Sequence, residues 1–139
     1  MRGAQIVSEA RAWVGVRYAH QGRSREGVDC IGLPVCVRAA LGLPALDVSG
    51  YERETTDSAM LDYCRAHMTE IAPSDLQPGD VLVCVNGTVR HMAIVADYLY
   101  GGHSIIHAWL PARAVVECRL DEKFMAGVTA CFRFPEVTE

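Results

Sequence analysis

Cys30 is the residue best placed to do chemistry in this chain. It follows Asp29, whose carboxylate can accept the free N–H groups of a helix's first turn. A cysteine at the first helical position meets those N–H groups and the positive end of the helix dipole. Both favour a thiolate, so a lowered thiol pKa is expected. The preceding loop, residues 16–29, contains Gly22 and Gly27 and most of the local charge, which should leave the sulfur open to solvent and substrate. Gly32 keeps one flank of the sulfur uncluttered. On these grounds alone, a helix-start cysteine is more often a residue without a catalytic role.

A nucleophilic thiol needs a base within hydrogen-bond reach, and the base needs a partner that orients it. Of the five histidines, His91 heads the apolar run Arg90-His91-Met92-Ala93-Ile94-Val95, and His107 lies within Ser104-Ile105-Ile106-His107-Ala108-Trp109. If those two strands adjoin, one nitrogen of His91 can face Cys30 while the other is held by His107. His20 precedes Cys30 in an exposed loop, His67 ends a helix, and His103 sits beside Gly102; these are weaker candidates. Cys30, His91 and His107 are also residue types that bind zinc, but their wide and irregular separation is poor support for a metal site.

These residues need a frame to bring them together. Ile6, Val7, Ala10, Trp13 and Val14 recur at helical spacing over residues 4–14, and Gly15 ends that helix. A second helix is expected over residues 30–41, with Pro34 tolerated in its first turn and a stop at Gly42 and Pro44. After a polar link, residues 47–55, a third helix is expected over residues 57–67. The turn Pro73-Ser74-Asp75-Leu76-Gln77-Pro78-Gly79-Asp80 then changes the character of the chain. Strands follow over residues 81–85, 89–96, 104–110, 115–120 and 128–134, the first two joined by an Asn86-Gly87 hairpin turn. Helices first and hairpin-linked strands second describe an α+β domain, with N-terminal helices packed on a C-terminal antiparallel sheet.

The 139 residues suit a single domain, residues 1–139, with enough chain for a real core. Half are apolar and 22% charged, and the net charge of −4 gives no reason to expect a nucleic-acid partner. The only local basic group, Arg17, Arg23 and Arg25, reads as a solvated loop. Residues 1–9 lack the apolar run of a secretory signal, and no stretch approaches the length of a membrane span. The six cysteines include no CxxC pair, so five are expected to be reduced structural thiols, with Cys30 the exception.

The run Asp29-Cys30-Ile31-Gly32-Leu33 resembles the Asp-Cys-Ser-Gly-Leu signature of NlpC-type, papain-like cell-wall cysteine peptidases. Trp13-Val14-Gly15-Val16-Arg17-Tyr18, Pro78-Gly79-Asp80-Val81, the His91 run and Ile106-His107-Ala108 resemble further family motifs, in the family's order, across residues 4–134. Tyr18-Ala19-His20-Gln21-Gly22-Arg23 looks most like the phage-tail branch. The resemblance implies a papain-like fold with Cys30 as nucleophile, His91 as base and then acid, and His107 as orienter. It places Tyr18 beside the cysteine as a positioning or oxyanion residue, with the Cys30 N–H as a further oxyanion donor, and implies no cofactor or metal. The implied substrates are peptidoglycan stem peptides, commonly cut between D-γ-glutamyl and diaminopimelate residues. Phage tail proteins are the implied partners, and the virion, or the cytoplasm before assembly, the implied location. Ile31 departs from the signature by removing a hydroxyl from the helix start. A non-enzymatic tail-assembly module on the same fold, or an amidase or acyltransferase with the same Cys/His machinery, would share these motifs.

Overall fold

Three helices cover one face of a six-stranded antiparallel sheet in the computed structural model, which describes residues 1–52, 58–86 and 89–138. The chain runs through α1 (Gly3–Arg11), a two-stranded ribbon of β1 (Arg23–Ser24) and β2 (Gly27–Val28), then α2 (Gly32–Ala40) and α3 (Ala59–His67). The sheet strands are β3 (Thr69–Ile71), β4 (Val81–Asn86), β5 (Val89–Asp97), β6 (His103–Trp109), β7 (Ala114–Arg119) and β8 (Val128–Arg133), with a short α4 (Glu122–Met125) between the last two. Their spatial order is β3-β8-β4-β5-β6-β7. This is the α+β arrangement expected from the order of helical and strand patterns.

Alternation along the strands splits the interior in two. Val81, Val83, Met92, Ile94, Ala96, Ile106 and Ala108 face Ile6, Val7 and Ala10 of α1, Leu33 and Val37 of α2, and Met60 and Cys64 of α3. Leu82, Cys84, Ala93, Val95, Ile105 and Cys131 form a smaller cluster on the opposite side, against which Cys118, Leu120 and Phe124 pack. Each large apolar side chain buried this way contributes roughly 1.5–3 kcal/mol. The helix-side cluster is therefore the main source of stability and fixes where α2, and with it Cys30, can lie.

Two close contacts lock the helices to the sheet. Gly79, at φ 97°, packs on Gly3 so tightly that a Cβ at Gly79 would sit 2.5 Å from the Gly3 Cα. Arg38 of α2 is 1% exposed and grips Glu136 through two bonds of 2.7 and 2.9 Å, tying the helix to the C-terminal segment.

Several boundaries differ from expectation. The first helix ends at Arg11, and residues 12–15 form turns whose last N–H, on Gly15, bonds to the Val115 carbonyl at 2.9 Å. The regular part of α2 begins at Gly32 rather than Cys30. Asn86, expected in the hairpin turn, is instead the last residue of β4 and pairs with Val89, while Gly87 and the expected third-helix start at Asp57 lie outside the described residues. The short elements β1, β2, β3 and α4 carry too few residues for a periodic pattern.

Candidate active site

Asp29 organises the start of the Cys30 helix. Its Oδ1 accepts the Gly32 N–H at 2.8 Å, and its carbonyl accepts the Leu33 N–H at 3.0 Å. The expected cap is therefore made by Asp29 even though regular helix begins later. The other carboxylate oxygen accepts the Gln21 N–H at 2.7 Å and the Tyr51 hydroxyl at 2.6 Å, and Arg23 reaches Oδ1 at 3.2 Å. Arg23 also bonds Asp47 and the Tyr51 hydroxyl, so it is a structural tether rather than part of a solvated loop. Arg25 lies over the Trp13 ring, 3.8 Å from its centroid. Sequence reasoning missed this network because Asp47 and Tyr51 come from the link after α2, about twenty residues away.

The histidines meet through strand register. Ile94 pairs with Ile106 and Val95 with Ile105, which puts His91 and His107 on one face of the sheet as diagonal neighbours across β5 and β6. The His91 Nε2 lies 2.5 Å from the His107 Nδ1, leaving the His91 Nδ1 for a different partner. His107 is 1% exposed. Trp109 stacks on its ring at 5.2 Å, and Phe124 meets it edge-on at 6.0 Å. The His107 Nε2 faces the Cys118 Sγ at 3.5 Å. Cys118, expected as one of five reduced structural thiols, is a free cysteine, and the contact with His107 is an addition to that reading. The register Ile105↔Cys118 places it diagonally across from His107, which no reading of spacing reveals.

Cys30 and His91 line one cavity of about 600 Å³, together with Tyr18, Cys84, Trp109 and Phe124. The backbone N–H of Met92, the residue after His91, is near enough to the Cys30 sulfur to oppose the rise in its pKa. The structure thus brings together all four residues singled out from the sequence: Cys30 and His91 at the cavity, His107 behind His91, and Tyr18 beside them. His20, His67 and His103 stand apart from it. His20 contacts Tyr51, and His67 packs on Tyr63. Among the described residues, no three His, Cys, Asp or Glu side chains are grouped as metal ligands would be.

The electrostatics overturn one expectation. Cys30 reaches the cavity, yet burial of its sulfur pushes the thiol up to about 12, with Asp29 adding to the rise and the Met92 N–H opposing it. The acid that caps the helix therefore works against the thiolate that the helix end was expected to favour. Burial, with a contribution from His107, lowers His91 to about 3, and burial lowers His107 to about 4. Burial thus favours the neutral form of the thiol and of both imidazoles.

An α+β domain with a Cys/His cleft at the junction of helix and sheet defines a recognisable class. The sequence matches the NlpC/P60 family over residues 15–133, and the chain belongs to that family. No curated protein matches it. Among solved structures, the NlpC/P60 domain of the peptidoglycan hydrolase SagA is similar at 27% identity and TM-score 0.69, covering 96% of this chain and 100% of that one. An NlpC/P60 family protein from Bacillus cereus shares the fold at 19% identity and TM-score 0.71, covering 96% of this chain and 40% of that one. The peptidoglycan hydrolase RipB from Mycobacterium tuberculosis does so at 22% identity and TM-score 0.61, covering 94% and 63%. No helix among the described residues is long and apolar enough to cross a membrane.

Proposed function

We propose that the chain is a cysteine peptidase that hydrolyses peptidoglycan stem peptides, with Cys30 as nucleophile, His91 as general base and acid, and His107 as its orienting partner. The observation that carries this reading is the single cavity that Cys30 and His91 line together, with His107 bonded to His91. The family membership and the likeness to the SagA domain support the substrate class.

Burial that favours the neutral thiol and imidazole supports proton transfer in step with attack. As the sulfur attacks the scissile carbonyl carbon, its proton moves to the His91 Nδ1, so both charges form while the carbonyl is being attacked. The new imidazolium shares its Nε2–H with the His107 Nδ1, and the carbonyl electrons move onto oxygen. Tyr18 and the Cys30 N–H are the proposed donors to that oxygen. Collapse expels the amine, which takes the proton from His91 and leaves a thioester on Cys30. A water deprotonated by His91 then releases the acid and restores the thiol.

A cavity of about 600 Å³ suits a peptide of a few residues. Arg90 and Lys123 on its lining outnumber Asp121, which suits a substrate carrying free carboxylates. The D-γ-glutamyl–diaminopimelate bond is the proposed point of cleavage. The Tyr18-to-Arg23 loop supports a phage-tail setting, which detection of the chain in purified virions would check.

The test of function is mass analysis of purified peptidoglycan after incubation with the wild type and with Cys30→Ala. The wild type is expected to release stem-peptide fragments ending at D-glutamate, and Cys30→Ala to lose at least about a thousandfold in rate with an unchanged circular dichroism spectrum. Equal release by both proteins would remove Cys30 from the mechanism.

A further inference from the structure

Nothing in the proposed mechanism uses Cys118, yet its sulfur is the partner that the structure gives to one nitrogen of the buried His107. The contact closes a row: Cys118 Sγ, 3.5 Å to His107 Nε2, and His107 Nδ1, 2.5 Å to His91 Nε2. A neutral imidazole carries one N–H and one bare lone pair. Two neutral rings joined by a single hydrogen bond can therefore arrange their protons in only two ways.

In the first, His91 donates its Nε2–H to the His107 Nδ1. The His107 proton is then on Nε2 and points at Cys118, while the His91 Nδ1 is bare and able to accept the thiol proton. In the second, His107 donates from Nδ1 to the His91 Nε2, and its bare Nε2 faces the Cys118 S–H. The His91 proton is then on Nδ1, where the ring cannot act as a base.

We propose that Cys118 is a positioning residue whose sulfur accepts the His107 Nε2–H, holding both rings as Nε2–H tautomers and keeping the His91 Nδ1 bare. The proposal rests on the reading of His91 as the general base. The electrostatics favour the neutral thiol at Cys118. Glu117 and Asp121 lie close enough to raise the Cys118 thiol pKa after burial itself. A neutral sulfur keeps lone pairs that can accept the His107 N–H. Removing the acceptor leaves the buried His107 N–H unsatisfied and withdraws the contact that holds this arrangement, so the pair should relax toward the Nδ1–H arrangement.

The test is long-range proton–nitrogen NMR of the histidine rings in the 139-residue chain, with kinetics on stem peptides. In the wild type, both His91 and His107 are expected as Nε2–H tautomers. Cys118→Val, similar in shape but without an acceptor, should populate the Nδ1–H form of both rings and lower kcat by about tenfold at unchanged KM, roughly 1.4 kcal/mol of barrier. Cys118→Ser supplies an oxygen acceptor and should restore kcat to within about twofold of wild type. Nδ1–H tautomers in the wild type would overturn the proposal whether or not any variant folds. So would Nε2–H tautomers that persist unchanged in Cys118→Val. The spectra do not depend on activity: if Cys30→Ala still cleaved peptidoglycan, the functional reading would fall while the tautomer result stood on its own.

Discussion

Asp29 and His107 are buried to the same degree, 2% and 1% exposed, within one site, yet they are held in opposite ways. Asp29 receives two backbone N–H groups, a tyrosine hydroxyl and a guanidinium on its two oxygens. His107 has one polar partner on each nitrogen and aromatic rings on its faces. A charge can be kept out of water only when its lone pairs are taken up, so Asp29 is saturated and fixes the helix start. A neutral ring needs only two partners, and those two decide where its proton sits. One region of the site provides rigidity; the other is a proton path in which a single lost contact changes the chemistry.

That contrast can be broken from either end. The largest effect should come from His91→Ala, which removes the proton carrier: kcat should fall by about 10²–10⁴-fold while the melting temperature changes little. His107→Ala should cost less, because an orienting partner is more replaceable. Steady-state kinetics on stem peptides check both, and equal negligible losses would take both rings out of the mechanism.

Acid should strike the histidine end next. His91 and His107 are held near 3 and 4 in the folded protein, against an ordinary value of 6.5. The unfolded chain therefore binds more protons between those limits, so stability is fully present above about pH 6.5 and is lost as pH falls toward 4. Thermal melts from pH 8 to 4 should show this slope, and His107→Gln should flatten it. A wild-type melting temperature unchanged across the range would contradict the burial of neutral rings.

The smallest effect separates the two roles of Asp29. Asp29→Asn keeps an acceptor for Gly32 but removes the charge faced by Arg23 and Tyr51, so unfolding free energy should drop by about 2 kcal/mol. The same change removes a negative neighbour of the Cys30 sulfur, so iodoacetamide should alkylate Cys30 faster than in the wild type. Denaturant melts and peptide mapping read the two outcomes. Slower alkylation would mean that Asp29 supports the thiolate after all.

Much of this was legible in the sequence because it is carried by period and local motif. The helical spacing of Ile6, Val7 and Ala10, the alternation through Met92 to Ala96, and the Asp29-Cys30 junction gave the layers and marked the nucleophile candidate. What could not be read depends on register and on partners distant in sequence. A slip of one residue between β6 and β7 would turn Cys118 away from His107, and nothing in the local run of β7 declares its register. The rise in the Cys30 pKa is likewise non-local. A helix end is a local feature, whereas the burial that outweighs it comes from strands more than fifty residues on.

The most direct measurement is intact mass of the wild-type protein, acid-quenched during turnover of a stem peptide and followed by peptide mapping. The account predicts an added mass equal to the acyl half of the substrate, carried as a thioester on the peptide containing Cys30 and absent from Cys30→Ala. Fragment release with no adduct on Cys30, or with the adduct on another side chain, would contradict it.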